Sequence, residues 1–394
     1  MLKKTIQDVE ISGKRVLLRV DFNVPMSDDG TISDDTRITA CLPTINYLID
    51  KQSRIIICSH LGRPHGKVVE RLRMAPVAQR LSKLLGKPVE ALEACIGPDV
   101  EAAVAKLKDG DILLLENVRF YPGEEANDPN FAHALARLAD IYVNDAFGVS
   151  HRAHASIVGV ARYLPALSGF LMSKELRVLG QALENPERPF AAMIGGAKVS
   201  GKLDVLENII TKVNSLLIGG GMAATFLKGR GYAVGASLVE DDKLDYVKNI
   251  MMNARSLNVK LYLPQDVVVT DKLEAGSKSK TVLISEIPEG WIAADIGPKT
   301  IEKFSKELRG CKTVVWNGPL GVFEIPQFSQ GTRQLAQTIA DLKTTTIIGG
   351  GSTAEAVAEM GLIDKMYHVS TGGGASLDFL AGKTLPGVAV LQDK

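Results

Sequence analysis

Short runs of apolar, mostly β-branched residues recur along this chain. Each breaks into a polar or glycine-rich loop and then into a longer stretch with apolar residues at helical spacing. That rhythm predicts strand–loop–helix units and a parallel sheet, because strands covered on both faces read as continuous apolar runs while surface helices bury one stripe. In the first half the predicted strands are RVLLRVDF (15–22), RIIICSH (54–60), DILLLENV (111–118) and IYVNDAF (141–147). In the second half they are FAAMIGG (190–196), SLLIGG (215–220), KLYLPQDVVV (260–269), TVVWNG (313–318), TTIIGG (345–350) and YHVSTGG (367–373). Between the groups, SGFLMSKELRVLGQALENPERP reads as one helix that starts near Ser173 and is stopped by Asn185-Pro186, so the boundary between two α/β domains is placed there.

In parallel α/β sheets ligands bind beyond the carboxyl ends of the strands, and the two halves differ in what they put there. The first-half loops carry Asp21, Asn23, His60, Arg63, Arg119, His151, Arg152 and His154, with Arg37 shortly after the first loop. Planar guanidinium forks match carboxylate and phosphate bidentately, so this half suits a small, multiply charged anion. The second-half loops are GGAKVSGK, GGGMAATF, NGPLGVFE, GGGSTAEA and TGGGASLD. Bare backbone N–H groups at helix starts suit the phosphates of a nucleotide.

Single motifs are weaker than their sum. The stretch Gly196–Lys202 has the G-x-x-x-x-G-K spacing of a P-loop, but Leu203 stands where the magnesium-binding hydroxyl belongs. Lys198 and Lys202 lie four apart, so a helix beginning there would set both on one face near its positive end. GGGMAA, with Glu240 downstream, fits a dinucleotide fingerprint and keeps a nicotinamide dehydrogenase open as an alternative. A non-catalytic nucleotide-binding protein is a second alternative, opposed by Arg37 together with Lys198. Trp316 can be core or a wall of the nucleotide half, and Cys58, inside an apolar strand, is expected to be inert packing.

The whole-chain numbers remove other classes. Forty-six basic residues against forty-five acidic ones leave a formal charge of +1 over 394 residues, so no global field attracts nucleic acid or an anionic membrane. No apolar run approaches the roughly 20 residues that cross a bilayer, and the N-terminus lacks the apolar core of a signal peptide. Four scattered cysteines without CxxC spacing point to a reducing cytoplasm.

Seven blocks in order, RVDFNVP (19–25), SHLGRP (59–64), ENVRFYPGEE (116–125), HRAHAS (151–156), GGAKVSGK (195–202), WNGPLGVFE (316–324) and STGGGASL (370–377), closely resemble the phosphoglycerate kinase family. The resemblance spans essentially the whole chain. It implies two Rossmann-like three-layer domains with parallel sheets joined by a hinge helix: a substrate domain (1–170), the helix (171–188), a nucleotide domain (189–377), and a tail (378–394) that returns to the first domain. It implies a cytoplasmic, monomeric enzyme that moves the acyl phosphate of 1,3-bisphosphoglycerate to MgADP, giving 3-phosphoglycerate and ATP. Carried over by residue, Asp21, Phe22, Asn23, Arg37, His60, Leu61, Gly62, Arg63, Arg119 and Arg152 would bind the glycerate ligand. Arg37, Lys198 and Gly373 would act on the migrating phosphoryl group. Lys202, Gly219, Gly220, Gly297, Asn317, Glu324, Gly350, Gly351, Ser352 and Thr353 would hold the nucleotide. Most of the family continues the glycine turn with an aspartate that coordinates the nucleotide's Mg²⁺; here Ser352 stands in its place and adds no charge.

Overall fold

A computed structural model describes residues 3–27 and 29–394. The chain forms two compact units, one running up to Arg177 and including Thr384–Lys394, the other spanning Val178–Lys383.

The first unit is built on six strands: β1 (Arg15–Arg19), β2 (Arg54–Cys58), β3 (Glu90–Ala91), β4 (Ile112–Leu114), β5 (Ile141–Asn144) and β6 (Ala166–Ser168). They pair in the order β3-β4-β2-β1-β5-β6, every pair parallel. Its helices are α1 (Thr36–Asp50), α2 (Ala75–Leu85), α3 (Pro98–Ala105), α4 (Pro122–Glu125), α5 (Pro129–Ala136) and the start of α6 (Phe170–Glu184). Val16, Leu18, Ile55, Ile57, Leu114 and Val143 alternate onto one sheet face and pack against Ile38, Ile45 and Leu48 of α1 and Val77 and Leu81 of α2. β3 has two residues and β6, Ala-Leu-Ser, lacks the Ile-Leu-Leu run that marks the equally short β4, so neither registers in the sequence.

In the second unit β7 (Phe190–Ile194), β8 (Ser215–Ile218), β9 (Lys260–Tyr262), β13 (Thr313–Asn317), β14 (Thr345–Gly349) and β15 (His368–Val369) make a parallel sheet ordered β15-β14-β13-β7-β8-β9. Between β9 and β13, strands β10 (Asp266–Thr270), β11 (Ser279–Leu283) and β12 (Ile292–Ile296) form a separate antiparallel sheet. The helices are α7 (Leu203–Ile209), α8 (Ala223–Gly229), α9 (Leu244–Ser256), α10 (Pro298–Arg309), α11 (Gln330–Ala340), α12 (Gly351–Glu359) and α13 (Gly374–Leu380). Met193, Val314, Trp316 and Ile348 pack against Phe304 and Leu308 of α10 and Leu335 and Ile339 of α11. Trp316 is therefore core, its indole N–H closing onto Gly318 O at 2.8 Å. Burying side chains of this size contributes about 1.5–3 kcal/mol each.

Two expectations need correction. KLYLPQDVVV is two strands in two sheets: β9 ends at Tyr262, and β10 begins at Asp266 in the antiparallel sheet. The break lets Asp266 accept the Lys299 and Thr300 N–H groups at 3.0 and 2.8 Å, capping α10. The helix expected from Ser173 starts at Phe170, because its first amides are met from distant sequence: Phe170 N–H by Thr44 Oγ1 at 2.9 Å and Met172 N–H by Asp145 Oδ1 at 3.0 Å. Its end, at Glu184 just before Asn185-Pro186, falls where the sequence places it. The last short helix, α14 (Pro386–Ala389), packs on the first unit, with Gly387 N–H on Ser150 O at 2.8 Å and Asn144 Nδ2 on Gly387 O at 3.0 Å.

A second buried carboxylate, Asp295 in β12, accepts the Ile296 N–H at 2.9 Å and the Gly331 N–H at 2.8 Å at the start of α11. Burial outweighs these donors and raises its pKa to about 7. In the unfolded chain the group loses its proton near about pH 4. Between those values the folded chain holds the extra proton, so this group's contribution to stability falls as pH rises. Asp295→Asn cannot ionise. Urea unfolding at about pH 5 and about pH 8 should show a smaller loss for this variant than for the wild type; parallel losses would contradict the assignment.

Candidate active site

In each parallel sheet one pair of neighbouring strands is followed by connections that leave in opposite directions: β1 toward β2 and β5 toward β6 in the first, β7 toward β8 and β13 toward β14 in the second. Such reversals leave a crevice at the carboxyl ends of the strands. Most of the predicted residues lie in loops that follow strands of these two sheets.

At the β1 crevice the charge is partly hidden. Arg19, the last residue of β1, has no exposed surface. Its Nε donates to Ser156 Oγ at 2.8 Å, Nη1 to Val20 O, and Nη2 lies 3.4 Å from His60 Nδ1. Arg37 pairs with Asp21 at 2.6 Å, and Asn23 Oδ1 accepts the Gly62 N–H at 2.7 Å, tying the β1 loop to the β2 loop. Arg119 Nη1 donates to Gly62 O at 2.9 Å and its Nε lies 3.5 Å from Glu125. Arg63 and Arg152 are exposed, while Phe22 and Leu61 are buried in the core, leaving only their backbones for a ligand. Arg119 Nε and His154 Nδ1 are buried without a hydrogen bond. Buried polar atoms left open in this way suit a pocket completed by a ligand.

Burial, reinforced by Arg19 and Arg119, pushes the His60 pKa well down; burial and Arg119 bring His154 to about 4. Near neutral pH both imidazoles are uncharged, and the positive potential comes from guanidinium groups. Sequence reading missed Arg19, Glu124 and Ser156. For Arg19 a signal was present: a lone cation inside an otherwise apolar strand that reads as covered on both faces.

At the β7 crevice the arrangement expected of the lysines changes. α7 begins only at Leu203, so Lys198 lies in the preceding turn and is exposed, whereas Lys202 is partly buried. They do not share a helix face. Lys202 donates to Asn317 Oδ1, and burial alone lowers its pKa to about 8, no carboxylate opposing the shift. Asn317 is wholly buried and its Nδ2 has no partner; it faces the turn at Gly350, where an added Cβ would sit 3.1 Å away. Gly350 takes φ +90° and hands the chain to α12, whose first amides lack intrahelical acceptors. An ammonium, an open amide donor and a helix start thus converge on one place.

The glycines divide by what surrounds them. A Cβ on Gly195 would meet Pro319 O at 2.2 Å, one on Gly219 Leu320 at 2.5 Å, and one on Gly220 Gly196 N at 2.7 Å, so these residues let strand-end loops approach one another. Gly297 lies against the Asp266 carboxylate. By contrast Gly351 and Gly373 face open space, the latter at φ +44°. Thr353 Oγ1 accepts the Gly318 N–H at 2.7 Å, while Ser352 and Glu324 are exposed. Glu240 accepts the Ser200 N–H at 3.0 Å, which engages the carboxylate that a dinucleotide site would need for ribose. Cys58 is buried with its pKa raised to about 12, as inert packing requires. Among the described residues no group of three or more His, Cys, Asp or Glu could hold a metal.

A family model described as "Phosphoglycerate kinase" matches residues 6–383. The chain is 57% identical to a phosphoglycerate kinase of Pelotomaculum thermopropionicum and 55% identical to one of Moorella thermoacetica, each over 394 residues and 100% of both chains. Among solved structures it is similar to phosphoglycerate kinase from Coxiella burnetii, with TM-score 0.89 and 43% identity. It is also similar to the enzyme from Pyrococcus horikoshii OT3, with TM-score 0.86 and 34% identity. Both structural matches cover 98% of each chain.

A polyphosphate beside Lys202 must favour the ammonium form and raise its pKa from about 8. Binding of pyrophosphate or ADP at about pH 8 should therefore take up a proton. Calorimetric heats should vary with the ionisation enthalpy of the buffer, and Lys202→Met should remove that dependence. Heats that ignore the buffer in the wild type would refute the placement.

Proposed function

This chain belongs to the phosphoglycerate kinase family, and we propose that its two crevices divide that family's reaction between them. It catalyses the reversible transfer of the acyl phosphate of 1,3-bisphosphoglycerate to ADP, giving 3-phosphoglycerate and ATP in glycolysis. The observation that carries the division is the segregation of chemistry: guanidinium groups and neutral imidazoles at β1, a buried ammonium and a helix start at β7.

In this reading Arg63, Arg119 and Arg152 take the 3-phosphate, with His60 beside them. Asp21, Asn23 and the backbones of Phe22, Leu61 and Gly62 hold the glycerate end. Lys202, Asn317 and the amides from Gly350 to Thr353 hold the nucleotide phosphates, with Glu324 on the ribose and Gly219, Gly220 and Gly297 shaping the walls. Phosphoryl transfer asks the protein for alignment and for cations around the spreading charge, with little covalent work. Arg37 and Lys198 are assigned to that charge, with the Gly373 amide. Arg37 rests on Asp21 until the substrate draws it away. The ligands must meet with water excluded, and α6, which begins in one unit and ends in the other, is assigned as the hinge.

Mg²⁺ enters as part of the MgADP substrate. The side chains from Gly350 to Thr353 offer only two neutral hydroxyls, Ser352 and Thr353, and Thr353 Oγ1 already accepts the Gly318 N–H, whereas hard cations take six or more oxygen ligands. These residues do not make a resident metal site. The nucleotide phosphates and water must supply most of the ligands. A cytoplasmic setting is supported by four buried free cysteines, and a preference for small ligands over nucleic acid by the near-zero net charge. No helix among the described residues is long and apolar enough to cross a membrane.

Arg37→Ala and Lys198→Ala should each lower kcat by about 10²–10³ while changing substrate affinity far less, since they act on charge that develops in the transition state. Weaker binding with unchanged kcat would remove them from that role. For Ser352→Asp, Mg²⁺ titrated against bound ADP by calorimetry should show tighter metal binding than in the wild type. Identical metal affinities would show that position 352 does not face the ion.

A further inference from the structure

Arg19, Glu124 and Ser156 lie fully buried under the β1 pocket, and the reaction as assigned above makes no use of them. Glu124 belongs to α4, and Ser156 to a π-helical turn, Ala155–Gly159. A carboxylate beside a pocket for anions opposes binding through its own field, so its presence there calls for a compensating use.

The hydrogen bonds supply one. Glu124 accepts the Ser156 N–H at 2.9 Å on Oε2 and the Ser156 hydroxyl at 2.7 Å on Oε1. With its proton committed to Glu124, Ser156 Oγ turns a lone pair to Arg19 Nε at 2.8 Å. Arg19 has no acceptor, so the His60 Nδ1 that meets its Nη2 at 3.4 Å is unprotonated and the His60 proton sits on Nε2. Glu124 Oε1 also lies 3.7 Å from His154 Nδ1. Burial raises the Glu124 pKa, while Arg19 and the two Ser156 bonds pull it back. A buried guanidinium without such a countercharge would be strongly unfavourable.

We infer that Glu124 is a positioning residue for the glycerate pocket: through Ser156 it anchors Arg19 against His60, and that contact, in which Arg19 can only donate, keeps the His60 proton on Nε2. The inference rests on the assignment of the β1 crevice to 3-phosphoglycerate.

The test uses the full chain with ¹⁵N-labelled histidine. Imidazole ¹H–¹⁵N spectra of the wild type should show His60 as the Nε2–H tautomer. In Glu124→Gln the amide donates toward Ser156, and Arg19 loses both its countercharge and the anchor that holds it against His60. The His60 spectrum should then show mixed tautomers, and calorimetry should show 3-phosphoglycerate binding weakened about tenfold, with MgADP binding unchanged. Ser156→Ala keeps the carboxylate but cuts its link to Arg19, and should alter His60 in the same way. It carries the test if Glu124→Gln does not fold. A His60 spectrum unaltered in a folded variant, or a wild-type proton on Nδ1, overturns the inference. A wild type that binds no 3-phosphoglycerate would instead sink the assignment of the pocket, while the spectra would still decide the anchoring of Arg19 against His60.

Discussion

A parallel sheet covered on both faces by helices leaves its strand ends as the place where backbone and side chains must find partners other than the core. In both units the winding reverses beside the first strand, at β1 and at β7, so the two adjacent crossovers leave in opposite directions and no helix closes the gap. The requirement explains why unrelated-looking loops interlock: Asn23 with Gly62, Thr353 with Gly318, Gly195 with Pro319. A crevice whose walls are loops must be held rigid by the loops themselves.

The two crevices meet the cost of concentrated charge differently. At β1 the cations are side chains, and several are kept partly out of water by neighbours: Arg37 by Asp21, Arg119 by Gly62 O and Glu125, Arg19 by Ser156. Surface exposure would hydrate them well but leave little free energy for distinguishing one anion from another. At β7 the positive potential is mostly backbone, and Lys202 is held against a neutral amide. Small glycine-lined loops permit that close approach, yet most of the glycines serve loop-to-loop packing and only a few, such as Gly351 and Gly373, open toward space a ligand can enter.

That distinction marks what the sequence could and could not reveal. Four first-unit strands and the parallel architecture were legible because their covered strands, three to five residues long, lie in runs rich in Ile, Leu and Val. β3 is only two residues, β6 (Ala-Leu-Ser) has no β-branched residue, and β11, exposed and lysine-containing, carries no alternation. The start of α6 and the break between β9 and β10 were illegible for another reason: their caps, Asp145 and Asp266, come from residues 27 and 34 positions away from the amides they meet. The site arginines and Lys202 could be found because they follow strands. Arg19, Glu124 and Ser156 could not be grouped, since the contact between α4 and the π-helical turn exists only in three dimensions.

The hydroxyl at position 352 bears on more than metal binding. An aspartate there would add a fixed negative charge to the turn that Asn317 links to Lys202, and so would favour the ammonium form of the lysine whether or not a ligand was present. With serine, the ammonium has no ionised partner that opposes the effect of its burial, and its pKa sits near about 8. In the proposed reading the nucleotide phosphates then become the counterion. Ligand binding and the charge of Lys202 are thereby linked, and the free site carries less fixed charge of either sign than one with an aspartate. A site that relies on its ligand to complete its electrostatics avoids the cost of keeping an unneutralised carboxylate and ammonium pair partly desolvated between turnovers. Its affinity becomes more sensitive to how much negative charge the nucleotide brings, so each added phosphate, and the Mg²⁺ that offsets it, should matter more here than in a relative that retains the acid.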